Sequence, residues 1–297
     1  LAAAGDVNGD GFNDIIVGAA ALSLSYGSNE GAAYLVLGSK NPTGFPLSYA
    51  EARFLGDTGS HAGYSVAGVG DADGDGLADV VVGAASSDTA GEQAGTAYLV
   101  LGTAGPADIQ LSTGATAFSG ESAGDAAGGA VAGVGDFNGD GFDDILVGAA
   151  GCDIAGENSG AVYLVFGATA IAGGSLSSAD ARLAGEAAGD LAGDSVSGAG
   201  DVNGDGFADL IIGAQRAYVV EDQSGAAYVV LGGPAVGDMS LADADARFAG
   251  VAGGDAAGNA VGGGGDINGD GFSDLLIGAP NAGKDTGAAY LILGIGE

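Results

Sequence analysis

Side-chain oxygens recur at alternate positions in a nine-residue stretch, DVNGDGFND, that runs from Asp6 to Asp14. Asp6 stands at position one, Asn8 at three, Asp10 at five and Asp14 at nine, with glycines at four and six. Four such side chains on a short loop can wrap one hard cation, and the backbone carbonyl at position seven, Phe12, can complete the set. Glycines at four and six permit the turns that bring the donors inward. Zinc would want His or Cys, and magnesium prefers fewer protein ligands and more water. Calcium takes six to eight oxygens and tolerates irregular geometry, so it is the ion this donor set suits.

One such stretch alone could be a solvated acidic turn. It returns, however, at Asp71, Asp136, Asp201 and Asp266, always 65 residues on. The second copy offers Asp71, Asp73, Asp75, Leu77 and Asp79, and the third Asp136, Asn138, Asp140, Phe142 and Asp144. The fourth offers Asp201, Asn203, Asp205, Phe207 and Asp209, and the fifth Asp266, Asn268, Asp270, Phe272 and Asp274. About one calcium ion per repeat, five in all, is expected. A helical calcium hand needs a bidentate Glu at position twelve, but Val17, Val82, Val147, Ile212 and Ile277 stand there. A strand therefore follows each loop, and the position-nine Asp is expected to close the site. A nonapeptide β-helix is excluded by the period. Bringing three carboxylates together without metal costs stability through repulsion. The ions are thus expected to be structural, tying the first strand of each repeat to the second.

The elements that hold these loops are short apolar runs such as SVAGV, DVVVGAA, TAYLVLG and ARFLG, fenced by Gly and Asp. Their length and their Val, Ile, Leu and Tyr content indicate strands. The middle runs (IIVG, VVVG, ILVG, LIIG, LLIG) do not alternate, so both of their faces are expected to be covered. Four short strands per unit, with sheets stacked face to face, describe a β-propeller blade. A β-solenoid is the rival, but its rungs are usually shorter than this unit. The expected fold is all-β: a single propeller domain over residues 1–297 with five four-stranded blades, closed as a ring or part of a larger one. The units run approximately over residues 1–60, 61–125, 126–190, 191–255 and 256–297. The first begins at its innermost strand, and the last ends after its third, so the fifth blade is expected to lack its outer strand. The start inside a repeat reads as a mature, processed or trimmed chain.

The balance of 39 acids against 6 bases gives a formal net charge of −33. Nucleic acid and anionic membranes would be repelled. The loops hold 17 of the acids, and the remaining excess suits a saline or extracellular setting. No run approaches the 18 apolar residues of a membrane-crossing helix, so no membrane insertion is expected. A lone cysteine, Cys152, excludes an intrachain disulfide, and a lone histidine, His61, argues against a nucleophilic triad. The glycines have no three-residue period, which excludes collagen, and the regular apolar runs exclude a disordered chain.

These residues together carry a resemblance. The unit resembles the FG-GAP repeat of integrin α-subunit propellers, in a bacterial-type form. The FG part stands loosely as FLG from Phe54, FSG from Phe118, LAG from Leu183 and FAG from Phe248. The GAP part stands as GAA at Gly18, Gly83 and Gly148, as GAQ at Gly213 and as GAP at Gly278. The resemblance implies a propeller with calcium loops on one face and ligands gripped on the other. Such propellers usually have seven blades, and this chain has five units.

Binding is expected in the loops that break the pattern. The first unit inserts ALSLSYGSNEG and the fourth QRAYVVEDQSG, which makes Tyr26, Asn29, Glu30, Arg216, Tyr218 and Glu221 the candidate ligand residues. The Tyr of each third run (Tyr34, Tyr98, Tyr163, Tyr228, Tyr290) is read as packing. The chain therefore reads as an extracellular, secreted or cell-surface adhesion module without catalysis. Its expected partner is a protein or glycan at the cell surface, with neighbouring copies added through the strand Tyr290–Gly294. Two alternatives stand beside this reading: a structural subunit of an extracellular fibre or repeat array, and a carbohydrate-active enzyme on a calcium propeller. The absence of Trp, which sugar-processing clefts usually use as platforms, weighs against the enzyme.

Overall fold

The computed structural model describes all residues except 25, 26, 42, 43, 45, 222, 295 and 297. Each repeat forms one antiparallel sheet of consecutive strands. Blade one comprises Ala2–Gly5, Asp14–Ala19, Ala32–Val36 and Ala52–Leu55, and blade two Ser65–Gly70, Asp79–Ala84, Thr96–Val100 and Thr116–Ser119. Blade three comprises Ala130–Gly135, Asp144–Ala149, Ala161–Val165 and Ala181–Ala184. Blade four comprises Ser195–Gly200, Asp209–Ala214, Ala226–Val230 and Ala246–Ala249. Blade five has three strands, Ala260–Gly265, Asp274–Ala279 and Ala288–Ile292. The expected all-β architecture of five blades, with the last short of its outer strand, is the one observed.

The variable linkers add something the strand grammar did not show. A two-residue strand pairs in parallel with the outer strand of each of the first three blades. Ile109–Gln110 lies along Phe54–Leu55, Gly174–Ser175 along Phe118–Ser119, and Met239–Ser240 along Leu183–Ala184. Each short strand comes from the linker after the next repeat's third strand. In two cases an aspartate pins it. The Asp108 carboxylate accepts the Arg53 backbone N–H at 2.7 Å and its Nε at 3.0 Å, and Asp238 accepts the Arg182 N–H at 2.9 Å. The linkers thus cover sheet edges that would otherwise offer unpaired backbone groups. Blades one to three are therefore five-stranded, not four-stranded, while blade four keeps four strands.

The chain divides into two compact units, residues 1–133 with 166–178, and residues 134–165 with 179–297. The segment 166–178 belongs to the first unit because its Gly174–Ser175 strand completes blade two. In the first unit Ile16, Leu35 and Phe54 of blade one pack with Val80, Val82, Tyr98 and Val100 of blade two. In the second, Ile211 and Val229 of blade four pack with Leu275 and Ile277 of blade five. Val80–Val82, Ile145–Val147 and Leu210–Ile212 are fully buried, which explains why these second strands do not alternate. Each such side chain contributes about 1.5–3 kcal/mol by burial. No helix among the described residues is long and apolar enough to cross a membrane.

Candidate metal centre

Each nine-residue loop leaves its first strand through a bulge at a glycine, Gly70 opposite Asp79 in blade two, and enters the second strand at the position-nine Asp. The position-one carboxylate folds the loop around itself. Its Oδ1 accepts the N–H of position four and its Oδ2 that of position six, at 2.6–2.9 Å in all five loops. The position-three Oδ1 accepts the N–H of position five at 2.8–3.1 Å. The position-five Oδ1 accepts the N–H of position seven at 2.8–3.0 Å. The glycines at position six all have φ of +88 to +95, which an L side chain rarely adopts.

The position-nine Asp is fully or almost fully buried in every loop. Its Oδ2 accepts the position-two N–H at 2.8–2.9 Å. Its Oδ1 accepts an N–H from just beyond the third strand: Gly38 on Asp14, Gly102 on Asp79, Gly232 on Asp209 and Gly294 on Asp274, at 2.7–3.0 Å. This carboxylate therefore clips the loop to the end of the third strand beside it. Consecutive loops within a unit are also joined. The N–H of position eight donates to the position-one carbonyl of the loop before: Ala78 to Asp6 at 3.0 Å, Ala208 to Asp136 at 3.1 Å and Ser273 to Asp201 at 2.8 Å.

The second loop differs from the others. Carboxylate oxygens of Asp71, Asp73 and Asp79 lie within 4.8 Å of one another. Calcium–oxygen bonds of about 2.3–2.6 Å place two ligands of one ion at most about 5 Å apart, so these three fit a single ion. In the other four loops Asn takes the place of Asp73, and its Nδ2 donates to the position-five carboxylate at 2.7–3.0 Å. An aspartate cannot make that bond, so the second loop lacks it and has one more charge among its donor positions than the others.

Burial pushes the Asp79 and Asp209 carboxyls up to about 6, against the backbone N–H bonds that lower them, and it pushes Asp14 upward too. Unfolded aspartate titrates near 4. The metal-free fold thus binds protons more readily than the unfolded chain. The stability these groups give is complete below about pH 4 and is lost as pH rises through about 6. Melting temperatures in calcium-depleted buffer should therefore fall as pH is raised across that window. A metal-free curve that climbs instead would overturn the assignment of these carboxyls.

In blades two and four, two glycines sit where backbones cross. A Cβ on Gly83 would lie 2.0 Å from the Gly128 carbonyl oxygen, and one on Gly213 2.0 Å from that of Gly258. A Cβ on Gly120 would lie 2.2 Å from the Ala94 oxygen, and one on Gly250 2.0 Å from that of Ser224. A model of the FG-GAP repeat matches residues 127–165, 192–230 and 257–292, and a model of an FG-GAP-like repeat matches residues 3–82. The chain is an FG-GAP repeat protein. Among its relatives, the integrin alpha pat-2 of Caenorhabditis briggsae is 44% identical over 92 residues and that of Caenorhabditis elegans 39% over 92. The integrin alpha-PS5 of Drosophila melanogaster is 40% identical over 93 residues. Each match covers 30% of this chain and only 7% to 9% of the relative's length.

In FG-GAP terms, the glycine of FG and the glycine of GAP are the two crossing points just described. Between them lies a feature that the sequence offered only as a Gly/Ala-rich link. Asp125 and Asp255 are buried, and each accepts two backbone N–H groups of its own turn, from Glu121 and Ser122 or from Val251 and Ala252, at 2.8–3.0 Å. Asp190, also buried, accepts that of Ala187 at 2.9 Å. Ser60 takes this place in the first repeat. The residue that follows, His61, Ala126, Leu191 or Ala256, has φ of +53 to +57 and donates its N–H to Asn29, Gln93, Asn158 or Gln223, which have φ of +45 to +53. Their recurrence every 64 or 65 residues was the available signal.

This assigns Asn29 to a recurring turn. Its neighbour Glu30 is also turned inward, accepting the Ser28 hydroxyl at 2.6 Å and the Leu24 N–H at 3.0 Å, bonds that hold its carboxyl below the usual range. Tyr26 lies outside the described residues. In the fourth repeat Arg216 and Tyr218 are exposed, and Glu221 accepts the Gly253 N–H at 3.2 Å. Val220 and Val251, which sequence reasoning passed over, are exposed as well. Tyr98, Tyr163 and Tyr228 are buried, and Cys152 is buried with its Sγ 3.7 Å from the Tyr163 hydroxyl.

Proposed function

We propose that this chain is a calcium-stabilised, non-catalytic interaction module of the extracellular space, a single propeller domain that adheres to a protein or glycan at a cell surface. One observation carries the reading. The same oxygen donors stand in register in five loops, on repeats similar to those of integrin α-subunits. Positions one, three, five and nine would hold one calcium ion in each loop with the position-seven carbonyl. The ion supplies positive charge to a cluster that otherwise repels itself. The buried position-nine carboxylate would transmit that stabilisation to the end of the third strand. The ligand would meet the opposite ends of the strands, where Arg216, Tyr218 and Glu221 lie.

Substituting Asp73→Asn gives the second loop the amide of the other four. Metal-free stability should rise by about 0.5–1.5 kcal/mol, the net worth of one hydrogen bond, while calcium affinity at that loop falls. Melting in calcium-depleted buffer and a calorimetric calcium titration measure both. A lower metal-free melting temperature would count against the assignment.

Adhesion itself is tested by passing the protein over immobilised extracellular-matrix proteins and glycans. Retention in calcium, reduced about tenfold by Tyr218→Ala as at an aromatic hot spot, is the expected result. No retention on either class of surface would overturn the proposal.

A further inference from the structure

Asn is followed by Gly at four places in the sequence, Asn8–Gly9, Asn138–Gly139, Asn203–Gly204 and Asn268–Gly269, and all four are positions three and four of the nine-residue loops. This pair carries a reaction of its own. No side chain shields the glycine nitrogen, so it can attack the asparagine Cγ. A bond forms from that nitrogen to Cγ and the Cγ–Nδ2 bond breaks. The amide nitrogen leaves as ammonia, taking the proton of the Gly N–H. Water then opens the cyclic imide at either of its carbonyls. One product is aspartate. The other is isoaspartate, whose main chain runs through Cβ and Cγ and is longer by one carbon.

The folded loop restrains every atom of that first step. The Gly N–H donates to the position-one Oδ1 at 2.6–2.8 Å. The asparagine Oδ1 accepts the position-five N–H at 2.8–3.1 Å, and its Nδ2 donates to the position-five carboxylate at 2.7–3.0 Å. The attacking nitrogen is thus held towards position one while Cγ is held towards position five. Three of the glycines are packed as well. A Cβ on Gly9 would strike Leu77, one on Gly139 Phe207 and one on Gly204 Phe272, in each case the position-seven residue of the next loop. Water is at hand, since all four glycines are exposed. Opening of the loop is therefore what the reaction waits for, and an ion held at positions one, three and five would keep the loop shut.

We propose that these four Asn–Gly pairs are spontaneous deamidation sites gated by calcium, which make a prolonged loss of the ion irreversible. The inference rests on the reading of the loops as calcium sites. Only an open, ion-free loop reacts, so calcium at about 100 times its dissociation constant should slow the reaction about a hundredfold. Either product adds a negative charge to a cluster that already repels itself, and neither keeps the Nδ2 bond to position five. Aspartate reproduces the second loop, where Asp73 precedes Gly74. Isoaspartate inserts a main-chain atom between positions three and four and moves the carboxylate onto Cα. Such a loop loses both a donor and its register, and returning calcium does not restore it.

Ageing the whole chain at mildly alkaline pH tests this, in calcium and in chelator, at a temperature below the melting transition of the chelated protein. A sample unfolded in urea sets the unprotected rate. Peptide mass spectrometry reads the mass gained at each asparagine as amide becomes acid, and an isoaspartate methyltransferase reads the second product. In chelator, Asn8, Asn138, Asn203 and Asn268 should convert about a hundredfold faster than in calcium. Asn29, Asn158 and Asn259, followed by Glu, Ser and Ala, should lag far behind in both. A calorimetric calcium titration should then find fewer sites in the chelator-aged protein than in fresh protein. Equal rates in the two arms would overturn the gating, and where fresh protein binds calcium the calcium reading stands. Conversion in urea but none in chelator would overturn it too, as would an aged sample that keeps all its sites. Fresh protein that binds no calcium would overturn both the gating and the reading beneath it.

Discussion

Withdrawing calcium is expected to lower the melting temperature by about 25 °C, the largest single effect on this chain. Each ion bound only by the folded form adds about 2.7 kcal/mol when calcium is at 100 times its dissociation constant. Five sites of that strength contribute about 13 kcal/mol, and a chain of this size shifts by about 2 °C per kcal/mol. The gain acts on the bulged first strand and the loop, which polar contacts hold together. It also reverses the pH response of the metal-free protein. A cation favours the charged form of Asp79 and Asp209, so with calcium present stability should be lost as pH falls, not as it rises. Calorimetric scans with and without a chelator, repeated at pH 5 and pH 7, measure both. An unchanged melting temperature on chelation would remove calcium from the stability of the fold.

A single methyl group at Gly213 should cost about 3 kcal/mol, at the upper end of overpacking. Its Cβ would sit 2.0 Å from the Gly258 carbonyl oxygen, and the Gly258 N–H donates at 3.0 Å to the carbonyl of Gly278 in the next blade. Backbone cannot step aside as a side chain can, so the two sheets must part. Gly83→Ala meets the Gly128 oxygen at the same distance and should cost as much. Gly262→Ala is the control, because nothing stands within 4 Å of its Cβ. It should be neutral or slightly stabilising, since alanine loses less backbone freedom on folding. Denaturant titrations that place Gly213→Ala within 0.5 kcal/mol of the wild type, a band typical of surface changes, would refute the crossing-point account.

The period, the strands and the donor residues were legible because each recurs at a fixed spacing in a distinctive residue type. Asp14 and its four counterparts read correctly as ends of the loop. Their second hydrogen bond was hidden, because Gly38 lies 24 residues on and a backbone N–H leaves no mark in sequence. The short parallel strands were hidden for another reason. Asp108 and Asp238 stand two periods apart, but Gly173 holds that place in the linker between them, and two residues are too few to show an alternation. The turn built on Asp125, Asp190 and Asp255 was periodic, but Ser60 interrupts the series and its surroundings are small residues without a hydrophobic pattern. Asn29 looked singular because its loop carries foreign side chains. Its backbone, at φ +45, is that of Gln93, Asn158 and Gln223.

The position-eight bonds between consecutive loops bear on how the sites fill. Ala78 holds the carbonyl of Asp6, Ala208 that of Asp136 and Ser273 that of Asp201. Each of these carbonyls belongs to the residue whose carboxylate organises its loop. Fixing one loop therefore fixes an acceptor that the next loop needs, and part of the ordering entropy of the second is spent by the first. By reciprocity, the second must tighten the first equally. Neighbouring sites would thus load together, the first two as a pair and the last three as a row, with a calcium isotherm steeper than that of independent sites.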